Sequence, residues 1–362
     1  MQFRISVIPH TLKFRFDART SRGAISEHKA YYLKLWSIHD PLIKGIGECA
    51  PLQGLSIDHK PEFGSKLNDV CQRINSGEVQ LSFEGPLPEA LELDEWPSIK
   101  FALETALLDL KCGGRRILYR NAFAKGESCI AINGLIWMGD KNFMQEQIQN
   151  KLAEGYSCLK LKIGSLDFNT ELELLQQIRE TASAKELTIR VDANGAFSVD
   201  EAFKKLEKLA RYEIHSIEQP IKPGQVKEMA ELCTYTPVPI ALDEELIGIF
   251  KPAEKRKLLE TIKPQYIILK PTLLGGFQET AAWIELAGEL KIGWWITSAL
   301  ESNIGLNAIS QFTANYTSDI PQGLGTGQLY HNNIFSPLTI DKGKLWFKKH
   351  KEWQEPEDLK IF

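Results

Sequence analysis

The sequence predicts an α/β protein built as a (β/α) barrel behind a smaller α+β unit. Three observations carry that expectation. Strand-like runs separated by turn residues fill the first 60 or so positions. From residue 130 onward, short apolar runs alternate with amphipathic helical stretches about every 25 to 30 residues. Nearly all of those later runs end in a charged or polar side chain, at the end of a barrel strand where catalytic groups sit.

The N-terminal runs FRISVI, AYYLKLWSI and IKGIGECAPL read as a small antiparallel sheet. In SIKFALETALLDLKC, Ile99, Ala102, Leu103, Ala106, Leu107 and Leu110 fall at helical spacing, and Ser98 is placed as the N-cap. The expected barrel strands are IAINGLI, SCLKLKI, LTIRVD, HSIEQP, VPIALDE, QYIILK and GWWITS. Helices are expected over FMQEQIQNKLAEGY, TELELLQQIRETA, DEAFKKLEKLARY and ETAAWIELAGEL. Seven or eight such units close a barrel of ordinary size. An open doubly wound sheet is disfavoured, because no GxGxxG turn follows the first strand.

With 362 residues, 43% hydrophobic and 25% charged, the chain has ample material for a core. A formal charge of −4 without a basic block argues against nucleic acid or an anionic membrane, so a small-molecule partner is expected. Cys49, Cys71, Cys112, Cys129, Cys158 and Cys233 form no CxxC pair and suggest neither zinc nor disulfides, which fits a reducing cytoplasm. The opening MQFRISVIPHTLKF lacks the apolar core of a signal peptide, and no apolar run approaches the roughly 20 residues needed to cross a bilayer.

The strand-end charges carry the chemistry. In the run from Cys158 to Ile163 a period of two sends Leu159, Leu161 and Ile163 to one face and Lys160 and Lys162 to the other. The apolar face must meet the helices, so the two amines enter the barrel, where burial and mutual repulsion lower an amine pKa and leave one of them as a neutral base. An isolated KxK is usually a surface strand with snorkelling lysines. Here it is followed by Arg190, Asp192 and Asn194 on one face of the next strand, then by Glu218, Asp243 and Lys270 at later strand ends. One acid after a strand is ordinarily an N-cap. Three on consecutive strands of a closed barrel converge and require a cation, and an all-oxygen shell with open positions suits Mg²⁺. None of the seven histidines stands at a strand end, which leaves lysine as the base, and neither a GxSxG elbow nor a P-loop is present.

The order KxK, DxN, EQP, DE and KP resembles the muconate lactonizing subgroup of the enolase superfamily over almost the whole chain, as do GIGECAPLQGLS and SIKFALETALLDL. The resemblance implies a (β/α)7β TIM-like barrel over residues 129–324 under an α+β capping domain over 1–128, completed by 325–362. It implies Asp192, Glu218 and Asp243 as ligands of Mg²⁺, with Mn²⁺ as the alternative ion. Lys162 becomes the acid–base and Lys270 the opposite catalytic lysine. Lys160, Arg190, Asn194 and Ser298 become supporting or substrate-facing groups, and Glu244 an acid beside the metal. Arg22, on the cap loop Thr20-Ser21-Arg22-Gly23, would meet a substrate carboxylate, and Gly54-Leu55-Ser56 would form a second lid segment. Ser302 and Asn303 read more simply as helix caps.

The segments INGLIWMG, TSALESNIG and GLGTG are most similar to the branch that dehydrates 2-succinyl-6-hydroxy-2,4-cyclohexadiene-1-carboxylate to o-succinylbenzoate in menaquinone biosynthesis. The expected partner is therefore a small carboxylate, with a homo-oligomer compatible. N-succinylamino acid racemisation stays open on the same residues. Dipeptide epimerisation is opposed by the lack of a DxD pair near GLGTG. A metal-free aldolase using Lys162 or Lys270 as a Schiff base is the alternative of another class. A non-catalytic binding protein is disfavoured, because a buried cluster of unused charges is costly to keep.

Overall fold

The computed structural model describes residues 2–20 and 23–358. Its first part is an antiparallel meander of β1 (Phe3–Thr20), β2 (Gly23–Ser37) and β3 (Asp40–Cys49), as expected. One face of this sheet buries Phe3, Ile5, Leu33 and Leu35 against helices α1 (Phe63–Ser76) and α2 (Pro97–Lys111). Gly45 and Gly47 explain how closely β3 approaches α2. A Cβ at Gly47 would lie 1.9 Å from the Ala102 carbonyl oxygen, and one at Gly45 2.0 Å from that of Ala106. The alternation that turns these glycines to α2 turns Ile46 and Glu48 the other way, and Ile46 joins a second cluster with Tyr32 and Ile304.

Ser98 is not the N-cap of α2. The helix begins at Pro97, with Trp96 as a cap residue that makes no side-chain bond. Ser98 lies inside the first turn, where its N–H and hydroxyl donate to Asp58 Oδ2 at 2.9 and 2.6 Å. A carboxylate 40 residues away in sequence thus satisfies the helix start.

The run IAINGLI divides instead of forming one strand. Its start is β4 (Cys129–Ala131), which pairs antiparallel with a strand of the C-terminal segment, and its end is β5 (Gly134–Ile136). The βα units then follow in order: α3 (Lys141–Ala153), β6 (Cys158–Lys162), α4 (Phe168–Thr181), β7 (Thr188–Asp192), α5 (Val199–Ala210), β8 (Ser216–Glu218), α6 (Val226–Tyr235) and β9 (Ile240–Leu242). They continue with α7 (Pro252–Ile262), β10 (Tyr266–Leu269), the short α8 (Pro271–Leu274), α9 (Phe277–Leu290), β11 (Gly293–Ile296) and α10 (Asn303–Thr313).

Strands β5 to β11 pair in parallel in chain order. Residues 322 and 323 close the ring between its two edges. The Gly323 N–H donates to the Ile296 carbonyl at 2.8 Å and Ser298 N–H to the Gly323 carbonyl at 3.0 Å. On the other side Gln322 N–H donates to Ala131 O at 2.8 Å and Asn133 N–H to Gln322 O at 3.0 Å. This extended segment fills the eighth strand place of a (β/α)7β barrel. Leu159, Leu161, Ile189, Val191 and Ile217 face the helices, while Ala241, Ile268 and Trp295 pack together as a small separate cluster.

The C-terminal segment serves both parts. Strands β12 (Leu338–Asp341) and β13 (Lys344–Phe347) pair in the order β12-β13-β4, and Leu345 and Phe347 enter the barrel core. Leu329, Tyr330 and Ile334 pack instead with Leu12, Phe14 and Tyr32 of the N-terminal sheet. Beyond them Glu355 pairs with Arg116 at 2.7 Å. Among the described residues, no helix is long and apolar enough to cross a membrane.

Candidate active site

Each strand of a closed parallel barrel delivers its last residue to the same rim. Lys162 ends β6, Asp192 ends β7 and Glu218 ends β8, and the register pairs Lys162 with Asp192 and Asp192 with Glu218. Asp243 and Lys270 directly follow β9 and β10. Lys160 lies one inward position earlier on β6. All six are buried.

The amines interleave with the acids. Lys160 Nζ hydrogen-bonds Glu218 Oε2 and lies 2.9 Å from Asp192 Oδ2. Lys162 Nζ donates to Asp192 Oδ2 at 2.9 Å and to Asn194 Oδ1 at 2.8 Å. Lys270 Nζ bonds Asp243 Oδ2 and lies 3.9 Å from Glu218 Oε1.

This arrangement separates the two β6 lysines electrostatically. Burial opposes the charge of Lys160, but Asp192 and Glu218 outweigh it and raise its pKa. For Lys162 burial prevails over the attraction of Asp192, with repulsion from Lys160 added, and the pKa is lowered. Lys270 is raised: burial acts against it, and Asp243 and Glu218 more than compensate. Among the acids, Asp192 and Asp243 are held low against burial by the surrounding lysines, while burial and the neighbouring Asp192 charge push Glu218 up. Lys162 is thus the amine most readily neutral, as a base in this position must be.

The three acids stand at adjacent strand ends and share their ammonium partners, Asp192 and Glu218 through Lys160, and Glu218 and Asp243 through Lys270. Among the described residues no trio of His, Cys, Asp or Glu side chains is gathered in a geometry that could hold a metal ion. At low dielectric each carboxylate turns to the nearest ammonium group. The donor set nevertheless suits a hard divalent cation, because it is all oxygen and Glu218 Oε1 is buried without a hydrogen-bond partner.

A cavity of about 420 Å³ opens onto the lysines, with Lys160, Lys162, Asn194, Lys270 and Ser298 in its wall. Gly23 and Ile25 of β2 and Gly54 and Leu55 line it from the N-terminal part, and Phe16, Leu135 and Trp137 make it apolar on one side. Asn194, at φ 45°, accepts from Lys162 and donates to Glu244 Oε1 at 3.0 Å, so Glu244 lies behind the site. Ser298 shares a 2.5 Å hydrogen bond with Thr326 Oγ1. Ser302 caps α10, accepting from Ile304 N–H at 3.2 Å, as read from sequence.

Arg190 departs from expectation. Its guanidinium stacks 4.1 Å from the Trp295 ring and donates to the Pro321 carbonyl at 2.8 Å, away from the cavity wall. Strand parity identifies the face but not the depth, and Arg190 is two residues below the rim residue Asp192. Arg22 lies outside the described residues. Among the polar cavity residues, Asn133 and Thr297 have Oδ1 and Oγ1 atoms buried without partners, and the first was not singled out from sequence. The alternation in IAINGLI, which puts Asn133 on the face of Leu135, was the available signal for the first.

Comparison with known proteins agrees with this geometry. The family model described as enolase C-terminal domain-like matches residues 143–350. An o-succinylbenzoate synthase of Desulfotalea psychrophila is 49% identical over 359 residues, 92% of this chain and 96% of that one. The crystal structure of MenC from the same organism superposes with a TM-score of 0.83 at 44% identity, covering 96% of this chain and all of the other (100%). An N-succinylamino acid racemase of Thermus thermophilus is 29% identical over 84% of this chain and 79% of its own length.

Proposed function

The chain belongs to the enolase-like family and, within it, to the o-succinylbenzoate synthases, and from that premise we propose that it dehydrates 2-succinyl-6-hydroxy-2,4-cyclohexadiene-1-carboxylate to o-succinylbenzoate. The observation that carries the mechanism is the placement of Lys162 and Lys270 in the wall of one cavity. They come from β6 and the end of β10, with β7, β8 and β9 between, so they approach a bound ring from opposite faces.

Lys162, as a neutral amine, takes the proton α to the ring carboxylate, and the C–H electron pair spreads into that carboxylate. The C–O bond on the same face then breaks with its electron pair, and the Lys162 ammonium returns the proton to the departing oxygen as water. Lys270 holds positive charge against the opposite face. Asn194 fixes the Lys162 amine, and the lid residues Gly54 and Leu55 keep solvent from it. Asp192, Glu218 and Asp243 would hold Mg²⁺ or Mn²⁺, which when bound would offset negative charge developing on the substrate carboxylate. Aromatisation of the ring makes the step downhill.

The division at residues 128 and 325 into cap and barrel belongs to the same proposal. It is supported by the separate cluster that the N-terminal sheet forms with α1 and α2 and by the packing of Leu329, Tyr330 and Ile334 on that sheet, while Phe101, Leu118, Phe123, Leu345 and Phe347 cross those bounds to join the barrel core. A cytoplasmic location is proposed likewise, from cysteines that are all free.

Racemisation of N-succinylamino acids is the second reading, favoured by the same two opposed lysines. Assaying one preparation with both substrates decides between them. Dehydration is expected to dominate, and racemisation without dehydration would reverse the assignment.

A further inference from the structure

Gln219 follows Glu218 at the end of β8 and is fully buried. Its φ of 40° puts a residue with a long side chain in the left-handed region, which persists only where the surroundings over-determine it. Six hydrogen bonds do so. The amide oxygen accepts the N–H groups of Asp243 at 3.2 Å and Glu245 at 3.3 Å. The amide nitrogen donates to Ile221 O and to Glu245 Oε2, each at 3.1 Å. The backbone N–H donates to Ala241 O at 3.0 Å, and the backbone carbonyl accepts Gly195 N–H at 2.7 Å. Both lone pairs and both protons of the side-chain amide are therefore used. One residue ties together the ends of β7, β8 and β9, each of which delivers one acid to the rim.

We infer that Gln219 is a positioning residue that fixes the relative placement of Asp192, Glu218 and Asp243 and thereby sets their affinity for a divalent cation. The inference rests on the reading of these three as metal ligands. Gln219 supplies no ligand itself: its side chain bonds the backbone of Asp243, not its carboxylate. Because bond angles at the strand ends set where three short side chains can meet, loosening this tie degrades the site before it degrades the barrel.

The test is calorimetric titration of Mg²⁺ into the unaltered protein, Gln219→Ala, Gln219→Glu, and Gln219→Glu combined with Glu245→Gln. All are measured at a temperature where circular dichroism shows them folded. Gln219→Ala and Gln219→Glu should each weaken binding at least about tenfold, the latter because it sets two carboxylates against each other. The double exchange, which restores one amide facing one carboxylate, should recover much of the loss. A merely structural role would lower the melting temperature and leave the dissociation constant within about twofold, and that result overturns the inference, as does a double exchange with no recovery. If Gln219→Ala fails to fold, the other two variants decide. Absence of saturable Mg²⁺ binding by the unaltered protein is a different outcome, which overturns the ligand reading and the inference with it.

Discussion

The Glu48 carboxylate on β3 accepts the backbone N–H of Ser302 at 2.7 Å and its hydroxyl at 2.5 Å, so the N-terminal sheet is bound to the start of a barrel helix. Gly305 N–H adds a third bond at 2.8 Å. Glu48→Ala leaves these donors buried without partners and should cost about 2–4 kcal/mol, with Glu48→Gln costing less than half as much. Urea denaturation monitored by far-ultraviolet dichroism checks the order.

The contact of β3 with α2 predicts a contrast between glycines. Gly47→Ala drives a Cβ into the Ala102 carbonyl and should destabilise by several kcal/mol, on the order of 3 or more. Gly288→Ala, within α9 where a Cβ meets nothing within 4 Å, should stabilise by about 0.5–1 kcal/mol. Melting temperatures of the two variants should move in opposite directions.

Buried Glu104 predicts a pH dependence. Its carboxylate on α2 accepts Phe277 N–H at 2.5 Å at the start of α9, and burial pushes it up to about 7 from an ordinary 4.5. A raised carboxyl pKa means that the unfolded state gives up its proton first. This group's contribution is therefore intact below about pH 4.5, declines as pH rises toward 7, and is flat above. The loss approaches about 1.4 kcal/mol per pH unit. His28 and His215, both lowered to about 4 by burial, tilt the curve the other way below 6.5. The difference between Glu104→Gln and the unaltered protein isolates the glutamate. The variant should gain relative stability as pH rises from 5 to 7, and parallel curves would remove the argument.

The lysines should divide by reaction. Lys162→Ala should lose dehydration and α-proton exchange by about 10²–10⁴-fold, since Lys162 is lowered while Lys160 and Lys270 beside the same acids are both raised. Lys270→Arg keeps a charge without a usable base, so weak dehydration should survive while any racemisation disappears. Single-turnover kinetics and exchange in deuterated water measure both.

Much of this site was legible in the sequence because strand parity is strict. Leu159, Leu161 and Ile163 had to meet helices, so Lys160 and Lys162 had to face inward, and the same rule placed Asp192 and Asn194. What parity omits is distance along the barrel axis, which is why Arg190 shares a face with Asp192 yet packs on Trp295. Contacts remote in sequence were also hidden. The start of α2 depends on Asp58, not on Ser98, and the split of IAINGLI depends on partners near residues 322 and 345. Gln219 stood in the sequence only as the middle of the EQP motif, and its role follows from a positive φ and from bonds to β9. The direct pairing of acids with lysines reflects local electrostatics that the order of strands does not encode.

Metal-assisted dehydration by these lysines and acids is measured by turnover of 2-succinyl-6-hydroxy-2,4-cyclohexadiene-1-carboxylate before chelation, after it, and after return of Mg²⁺. Turnover should fall to background when the protein is stripped of divalent ions and return with Mg²⁺. Undiminished turnover after complete chelation, with inactivation by borohydride in the presence of substrate, would contradict metal-assisted dehydration and assign the lysines to Schiff-base chemistry.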